Sequence, residues 1–237
     1  MGIDDRYYGT GVLKKDQQKL KVGGDIKWAI NSNTVLDLTA NTDFAQADAD
    51  LQVNNTKQFS VFFPEKRQFF LENASLFSPG VQQAADGSGG QMQTQPFFSR
   101  SIGLDGAGTP IPIVAGGRFV HRAEKQNYGA LLMRQQSAGN SPATDFFVGR
   151  YSRNLGEQGR VGGLLSVKNN SAETNVTGTV DGFFRMGAAQ TVNTVLTFTN
   201  TSAGNKQGVS GFIQYVNSTN HYKIWVTQSV VTKDYDP

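Results

Sequence analysis

Asn175-Val176-Thr177-Gly178-Thr179-Val180-Asp181-Gly182-Phe183-Phe184-Arg185-Met186 is the stretch whose reading decides the fold. Successive side chains of an extended strand point to opposite faces. Val176, Gly178, Val180, Gly182 and Phe184 therefore line one side, and Thr177, Thr179, Asp181, Phe183 and Arg185 the other. The first side is largely aliphatic and small, the second mostly polar. A strand divided in this way belongs to a sheet with one apolar and one wet face.

The same rhythm runs outward in both directions. The turn Gly187-Ala188-Ala189-Gln190 leads into 191–200, and 208–216 and 222–231 close the series around 217–221. Upstream lie 160–168, 145–153, 128–136 and 112–122. In the last of these, Ile113, Ala115, Gly117 and Phe119 are expected on one side and Gly116, Arg118, Val120 and Arg122 on the other. Nearer the start, Ile26, Trp28 and Ile30 share a face, and Asn31-Ser32-Asn33 turns the chain into Leu36, Leu38 and Ala40. With 56–63 included, the pattern predicts roughly eleven strands of about 8–12 residues, near the ~9–11 residues of a tilted transmembrane strand.

Composition narrows the classes. The chain has 237 residues, 38% hydrophobic and only 17% charged, with 27 glycines. No run approaches the ~20 apolar residues of a membrane helix. There is no cysteine, so no disulfide framework, thiolate nucleophile or cysteine metal site can form. His121 and His221 are too few for a histidine-rich centre. A net charge of +3 without a basic run gives no case for nucleic acid. Asp43, Asp48 and Asp50 suit a hard cation, but their loop lacks the Gly and terminal Glu of an EF-hand and reads as a solvated acidic loop. No metal and no cofactor are expected. Met1-Gly2-Ile3-Asp4-Asp5 lacks the apolar core of a signal peptide, and Asp234-Tyr235-Asp236-Pro237 is turn chemistry. The expectation is a fragment of a longer domain.

One stretch breaks the alternation: Phe62-Phe63-Pro64-Glu65-Lys66-Arg67-Gln68-Phe69-Phe70-Leu71-Glu72-Asn73. Pro64 has no N–H for a ladder and ends a strand. The four charges that follow need partners in any dry setting. Loop chemistry continues through Ser78-Pro79-Gly80 and Asp86-Gly87-Ser88-Gly89-Gly90. The chain therefore divides into a polar leader (1–22), an irregular inserted segment (62–104) and antiparallel hairpins (111–231). A lipid-embedded sheet must pair every backbone group, and the pattern favours such a wall over a soluble sandwich. The fold class is all-β: an up-and-down antiparallel meander, part of an outer-membrane β-barrel, with a long plug-like insertion.

Leu36-Asp37-Leu38-Thr39-Ala40-Asn41-Thr42-Asp43-Phe44-Ala45-Gln46, the stretch 62–73, Phe98-Ser99-Arg100-Ser101-Ile102-Gly103-Leu104 and Pro110-Ile111-Pro112-Ile113 together resemble a bacterial family. Its members have an uncharacterised C-terminal β-barrel domain, usually behind a family-9-like carbohydrate-binding module. The resemblance spans roughly residues 23–237 in chain order. Gln68 and Thr42 stand where that family usually has Pro, and Ser101 where it usually has a second Arg. The resemblance implies a Gram-negative outer membrane and lipid as a partner. It also implies a carbohydrate ligand reached through a module that this chain lacks. It carries over no catalytic residue.

For chemistry, Glu65 and Glu72 could form a glycosidase pair. Adjacent Lys66 and Arg67, with Arg100, suit a lumenal charge network better, because cations favour ionised carboxylates. Ser99 and Ser101 have no nucleophile-elbow context. His121 reads as structural or interfacial, and Trp28 and Trp225 as girdle or packing residues. The functional expectation is a barrel section that binds or takes up an extracellular glycan or other solute. A membrane-associated hydrolase using Glu65 and Glu72, or a purely structural barrel, is the alternative.

Overall fold

Alternation in the sequence becomes one antiparallel sheet in the computed structural model, which describes residues 23–41, 65, 67–81, 90, 92–105 and 109–237. The strands are β1 (Gly24–Asn31), β2 (Thr34–Ala40), β3 (Ile113–Arg122), β4 (Gln126–Gln135), β5 (Thr144–Asn154), β6 (Gly159–Asn170), β7 (Thr174–Arg185), β8 (Gln190–Thr201), β9 (Lys206–Ser218) and β10 (Lys223–Val231). Each pairs with its neighbours in chain order, giving a ten-stranded up-and-down sheet that is open, with β1 and β10 at its edges. The expected strand over 56–63 and the acidic loop with Asp43, Asp48 and Asp50 lie outside the described residues. No helix among the described residues is long and apolar enough to cross a membrane.

β2 pairs directly with β3, from Thr34 opposite His121 to Ala40 opposite Ala115. The connection 41–112 is thus an excursion that leaves the sheet and returns beside its point of departure. Its described part lies on one face, here called inner. It contains two single helical turns, α1 (Gln68–Leu71) and α2 (Ala74–Phe77), and a 3-10 turn at Ser99–Ser101. Asn73, between α1 and α2, adopts a left-handed conformation (φ 59°), which its short polar side chain tolerates.

The inner face of β3–β6 carries Val120, Leu131, Met133, Phe146, Val148 and Leu164. Phe70, Leu76 and Phe77 of the helical turns pack on them, with Ile102 and Ile113. The core therefore lies between insertion and wall, and not between two sheets. Ile113 corrects one expectation. A register shift between Ile113 and Ala115 places Ile113 opposite the buried Gln135, and it joins the core fully buried. A bulge of this kind sends the side chains on its two sides to different faces.

The outer face is inverted in polarity. Leu132, Leu165, Val180, Phe198, Ile213 and Val226 are exposed there, Val226 at 64%. Trp28 shares this face with Leu36, its partner across β1–β2. Trp225 does not: it pairs with Val216 on the inner side of β9–β10, so the two tryptophans, read as girdle or packing residues, lie on opposite faces.

Close approach of the insertion depends on Gly129 in β4. A Cβ there would lie 2.8 Å from Leu76 Cδ2 and 2.9 Å from the Phe119 carbonyl oxygen. Gly129→Val is expected to lower the stability of the insertion by about 1–3 kcal/mol, the usual cost of overpacking. Denaturant unfolding combined with limited proteolysis of 65–81 measures it.

Candidate functional site

Helices of a single turn do not stand alone, because nucleation is unfavourable and every terminal carbonyl lacks an intrahelical partner. Here the wall supplies the partners. Arg118 of β3 donates through Nη1 to the carbonyl oxygens of Phe69 and of Glu72, the latter at 2.5 Å. Arg150 of β5 donates through Nε to the Leu76 carbonyl at 3.1 Å. Arg122 donates to the Asn73 side-chain oxygen at 3.1 Å and to Ser75 Oγ at 2.9 Å. Three inward-facing arginines thus hold the α1–α2 segment mainly through its backbone.

The guanidinium groups of Arg118 and Arg150 are buried and need counter-charge. Asp37 of β2 accepts from Arg118 Nε at 3.0 Å and Nη2 at 2.6 Å. Glu72 accepts from Arg118 Nη2 at 3.2 Å and from Lys27 of β1. Arg150 forms a fork with Asp181 of β7, at 2.5 and 2.9 Å. Both partners of that pair have side chains only 3% exposed.

A separate cluster closes the insertion on itself. Arg67 donates Nε and Nη2 to the two oxygens of Glu65, each at 2.8 Å. Ser99 Oγ donates to Glu65 at 2.7 Å. Arg67 also donates to the carbonyls of Ile102 (2.5 Å) and Ser99 (2.9 Å). Its guanidinium lies 4.2 Å from the centre of the Phe70 ring, a cation–π geometry. The start of the plug is in this way stitched to its return.

The single network expected from Glu65, Lys66, Arg67, Glu72 and Arg100 is therefore divided. Glu65 and Arg67 belong to the stitch at 99–102. Glu72 belongs to the wall cluster of Lys27, Asp37 and Arg118. Arg100 is buried on the 3-10 turn, and Lys66 lies outside the described residues. Burial pushes the Glu65 carboxyl up, but hydrogen bonds from Arg67 and Ser99 and the charge of Arg67 outweigh it and hold it below its ordinary 4.5. Glu72 is also held below 4.5, first by the hydrogen bond from Lys27. Neither carboxyl is poised as a proton donor, since such an acid needs a raised pKa. Ser101 Oγ is spent on the Phe98 carbonyl at 2.8 Å. His121 stands on the outer face, its Nδ1 2.9 Å from Thr34 Oγ1 and its ring stacked on Tyr128 at 4.6 Å.

Reading the sequence missed Asp37, Arg118, Arg150 and Asp181 as members of the site. The available signal was an ionisable residue at mid-strand on the inward parity, where burial without a partner is costly. Between insertion and wall remains a cavity of about 390 Å³, lined by Phe69, Phe77, Phe97, Phe98, Arg118 and Leu131 among others. It is at the small end of ligand pockets.

Residues 6–82 match a family described as a domain of unknown function (DUF5916). The matched stretch holds β1, β2 and both helical turns, and it begins inside the segment read from sequence as a polar leader. The wall from β3 onward lies outside it, so the match is narrower than the resemblance read over 23–237. No curated protein and no solved structure matches the chain.

Arg118→Ala removes both hydrogen bonds to the buried Asp37, leaving Lys27 at 3.9 Å, and is expected to cost about 3–5 kcal/mol in denaturant unfolding. Arg134→Ala, which breaks the exposed pair with Asp145 (3.0 Å), should cost about 1 kcal/mol or less. Because the folded pKa values of Glu65 and Glu72 are depressed, their contribution is complete above 4.5 and is lost as pH falls below it through the folded values. Proteolysis of the plug should therefore accelerate on acidification through that range. Glu65→Gln should flatten this acid limb.

Proposed function

We propose that this chain is a section of an outer-membrane β-barrel of a Gram-negative bacterium, with 62–104 as a plug held against the lumenal wall. The carrying observation is the uneven use of the two faces: the buried charged groups of the strands, Asp37, Arg118, Arg150 and Asp181, point toward the plug, while Leu132, Leu165, Val180, Phe198 and Ile213 point away from it and are exposed. A soluble sheet would seal such a face against a second layer.

Details of the outer face favour lipid as its partner. Trp28, Tyr128, Tyr151 and Tyr215 lie near the end with uniformly short turns, as an interfacial aromatic row does. Toward the other end the outward positions become polar, with Arg134, Asp145, Asn169, Asn200 and Gln207. Between these levels, Val176 to Phe184 of β7 covers about 20 Å at roughly 3.4 Å per residue and a tilt of about 40°. The long connection 41–112 departs from the second end, the side of long extracellular loops in such barrels.

The proposed role is binding or uptake of an extracellular solute, with a glycan as the expected ligand from the module carried by the resembling family. The plug–wall interface is the seat of that activity. The hydrolase alternative finds no support in Glu65 and Glu72, because each serves a different set of cations.

The chain has no cysteine, so single cysteines can report the solvent on each face. Nitroxide labels at Leu165, Val180 and Phe184 in proteoliposomes should be relaxed by oxygen, which concentrates in hydrocarbon. Labels at Thr179 and Thr197 should be insensitive to it. If the outward set is shielded from oxygen as well, the lipid reading fails. Val180→Arg should cost about 2–4 kcal/mol of folding in the bilayer if it lies near the midplane.

A further inference from the structure

The cavity between plug and wall continues the core without being filled by it. Of its lining residues, Phe70, Phe77 and Leu131 are buried. Phe69, Phe97 and Phe98 are only half-buried, and Leu71 is 50% exposed. Rings left half-open beside a space of about 390 Å³ are unlike a close-packed interior. An apolar cavity of about 150 Å³ already admits benzene, so this one has room for a fused ring system.

Its polar lining is almost fully spent. Arg118 commits all five N–H groups: Nε and Nη2 to Asp37 (3.0 and 2.6 Å), Nη2 also to Glu72 (3.2 Å), and Nη1 to the carbonyls of Phe69 and Glu72. Glu65 Oε1 accepts from the Arg67 backbone N–H (3.0 Å) and Nε (2.8 Å). Its Oε2 accepts from Arg67 Nη2 (2.8 Å) and Ser99 Oγ (2.7 Å). That fills the four acceptor positions of a carboxylate. Ser78 Oγ donates to the Ala74 carbonyl at 3.0 Å. Among the described lining side chains, only the amide of the exposed Gln95 keeps unspent donors.

Charge is balanced as well. Arg67 faces Glu65, while Arg118 and Lys27 face Asp37 and Glu72. The Phe70 and Phe69 rings already carry the guanidinium groups of Arg67 and Arg118, at 4.2 and 4.8 Å. A sugar entering here gives up the hydration of several hydroxyls for few partners, and an ion finds no spare counter-charge. A flat apolar ring gives up nothing polar and covers the half-open phenylalanines.

We propose that this cavity binds a neutral bicyclic aromatic molecule, resting on the plug–wall interface as the seat of solute binding. The sugar expected from the family resemblance stays outside it. What meets the outer face of the sheet does not enter into this choice of ligand.

The test uses the full chain in detergent micelles and in proteoliposomes. The neutral probe is 2-naphthalenemethanol, its charged counterparts are 2-naphthoate and 2-naphthylmethylamine, and maltotriose represents a sugar. The chain has no native cysteine, so Leu71→Cys supplies one thiol at the cavity and Ser171→Cys one on an exposed turn far along the chain. The neutral probe should slow the reaction of the first thiol with a charged methanethiosulfonate reagent several-fold, and leave the second unchanged. The charged counterparts and maltotriose should protect neither. Ala74→Leu, which fills the cavity from α2, should abolish the protection, and Phe98→Ala should weaken it. Limited proteolysis of 65–81 checks that the plug is retained; if Ala74→Leu loosens it, Phe98→Ala decides. No protection at Leu71→Cys, equal protection by all three naphthyl probes, protection by maltotriose, or slowing at both thiols overturns the proposal. Protection in micelles by a protein that does not float with liposomes overturns the lipid reading of the outer face and supports the cavity.

Discussion

A guanidinium buried inside a sheet protein must be surrounded by acceptors, and Arg118 meets that requirement with two carboxylates and two backbone carbonyls. The rest of the arrangement follows from it. Asp37 has to sit opposite on β2, which fixes the β2–β3 register. Helical turns too short to be stable alone acquire ends. The plug is placed by hydrogen bonds with direction, and the hydrophobic contacts of Phe70, Leu76 and Phe77 then fill the space so defined. Arg150 repeats the device two strands further on, joining β7 to the Leu76 carbonyl through one side chain.

This division of labour accounts for the polarity of the wall. Strands with a conventional core would turn their aliphatic side toward the plug throughout. Here β3–β6 do so, joined by Val195 of β8 and Phe212 of β9, while charged and hydroxyl groups occupy many of the other inner positions and the middle of the outward side is mainly aliphatic.

Much of the wall was legible because a period of two survives averaging over many strands. The hairpins 160–168 and 175–186 appear in the structure with ends displaced by a few residues. What escaped were features that one residue decides. A bulge beside Val114 moves Ile113 across the sheet, and no alternation pattern carries that information. Trp225 and Trp28 look alike in sequence, and only the pairing of Trp225 with Val216 tells inside from outside. The plug was recognisable as a dense charged and aromatic stretch, but its partners were not. Glu65 and Glu72 are near in sequence and were read as one group, whereas three-dimensional placement gives Glu65 to a local turn and Glu72 to β1 and β3. Long-range ion pairs leave no spacing signature; they leave only the anomaly of an ionised residue at mid-strand.

Adjacency of β2 and β3 across the excursion 41–112 also bears on the order of assembly. Every other neighbouring pair of strands is joined by at most the eight residues between Gln135 and Thr144 and can zip from its hairpin, whereas β2–β3 must close a long loop first. Loop closure costs only about 0.6 kcal/mol more for each doubling of length, so the penalty in stability is small. The penalty in rate is larger, because non-local pairing slows folding. The β1–β2 hairpin is therefore expected to dock after the hairpins that zip from local turns. Docking brings Asp37 into its buried pair with Arg118, so the seam where the meander is interrupted is also pinned by charge.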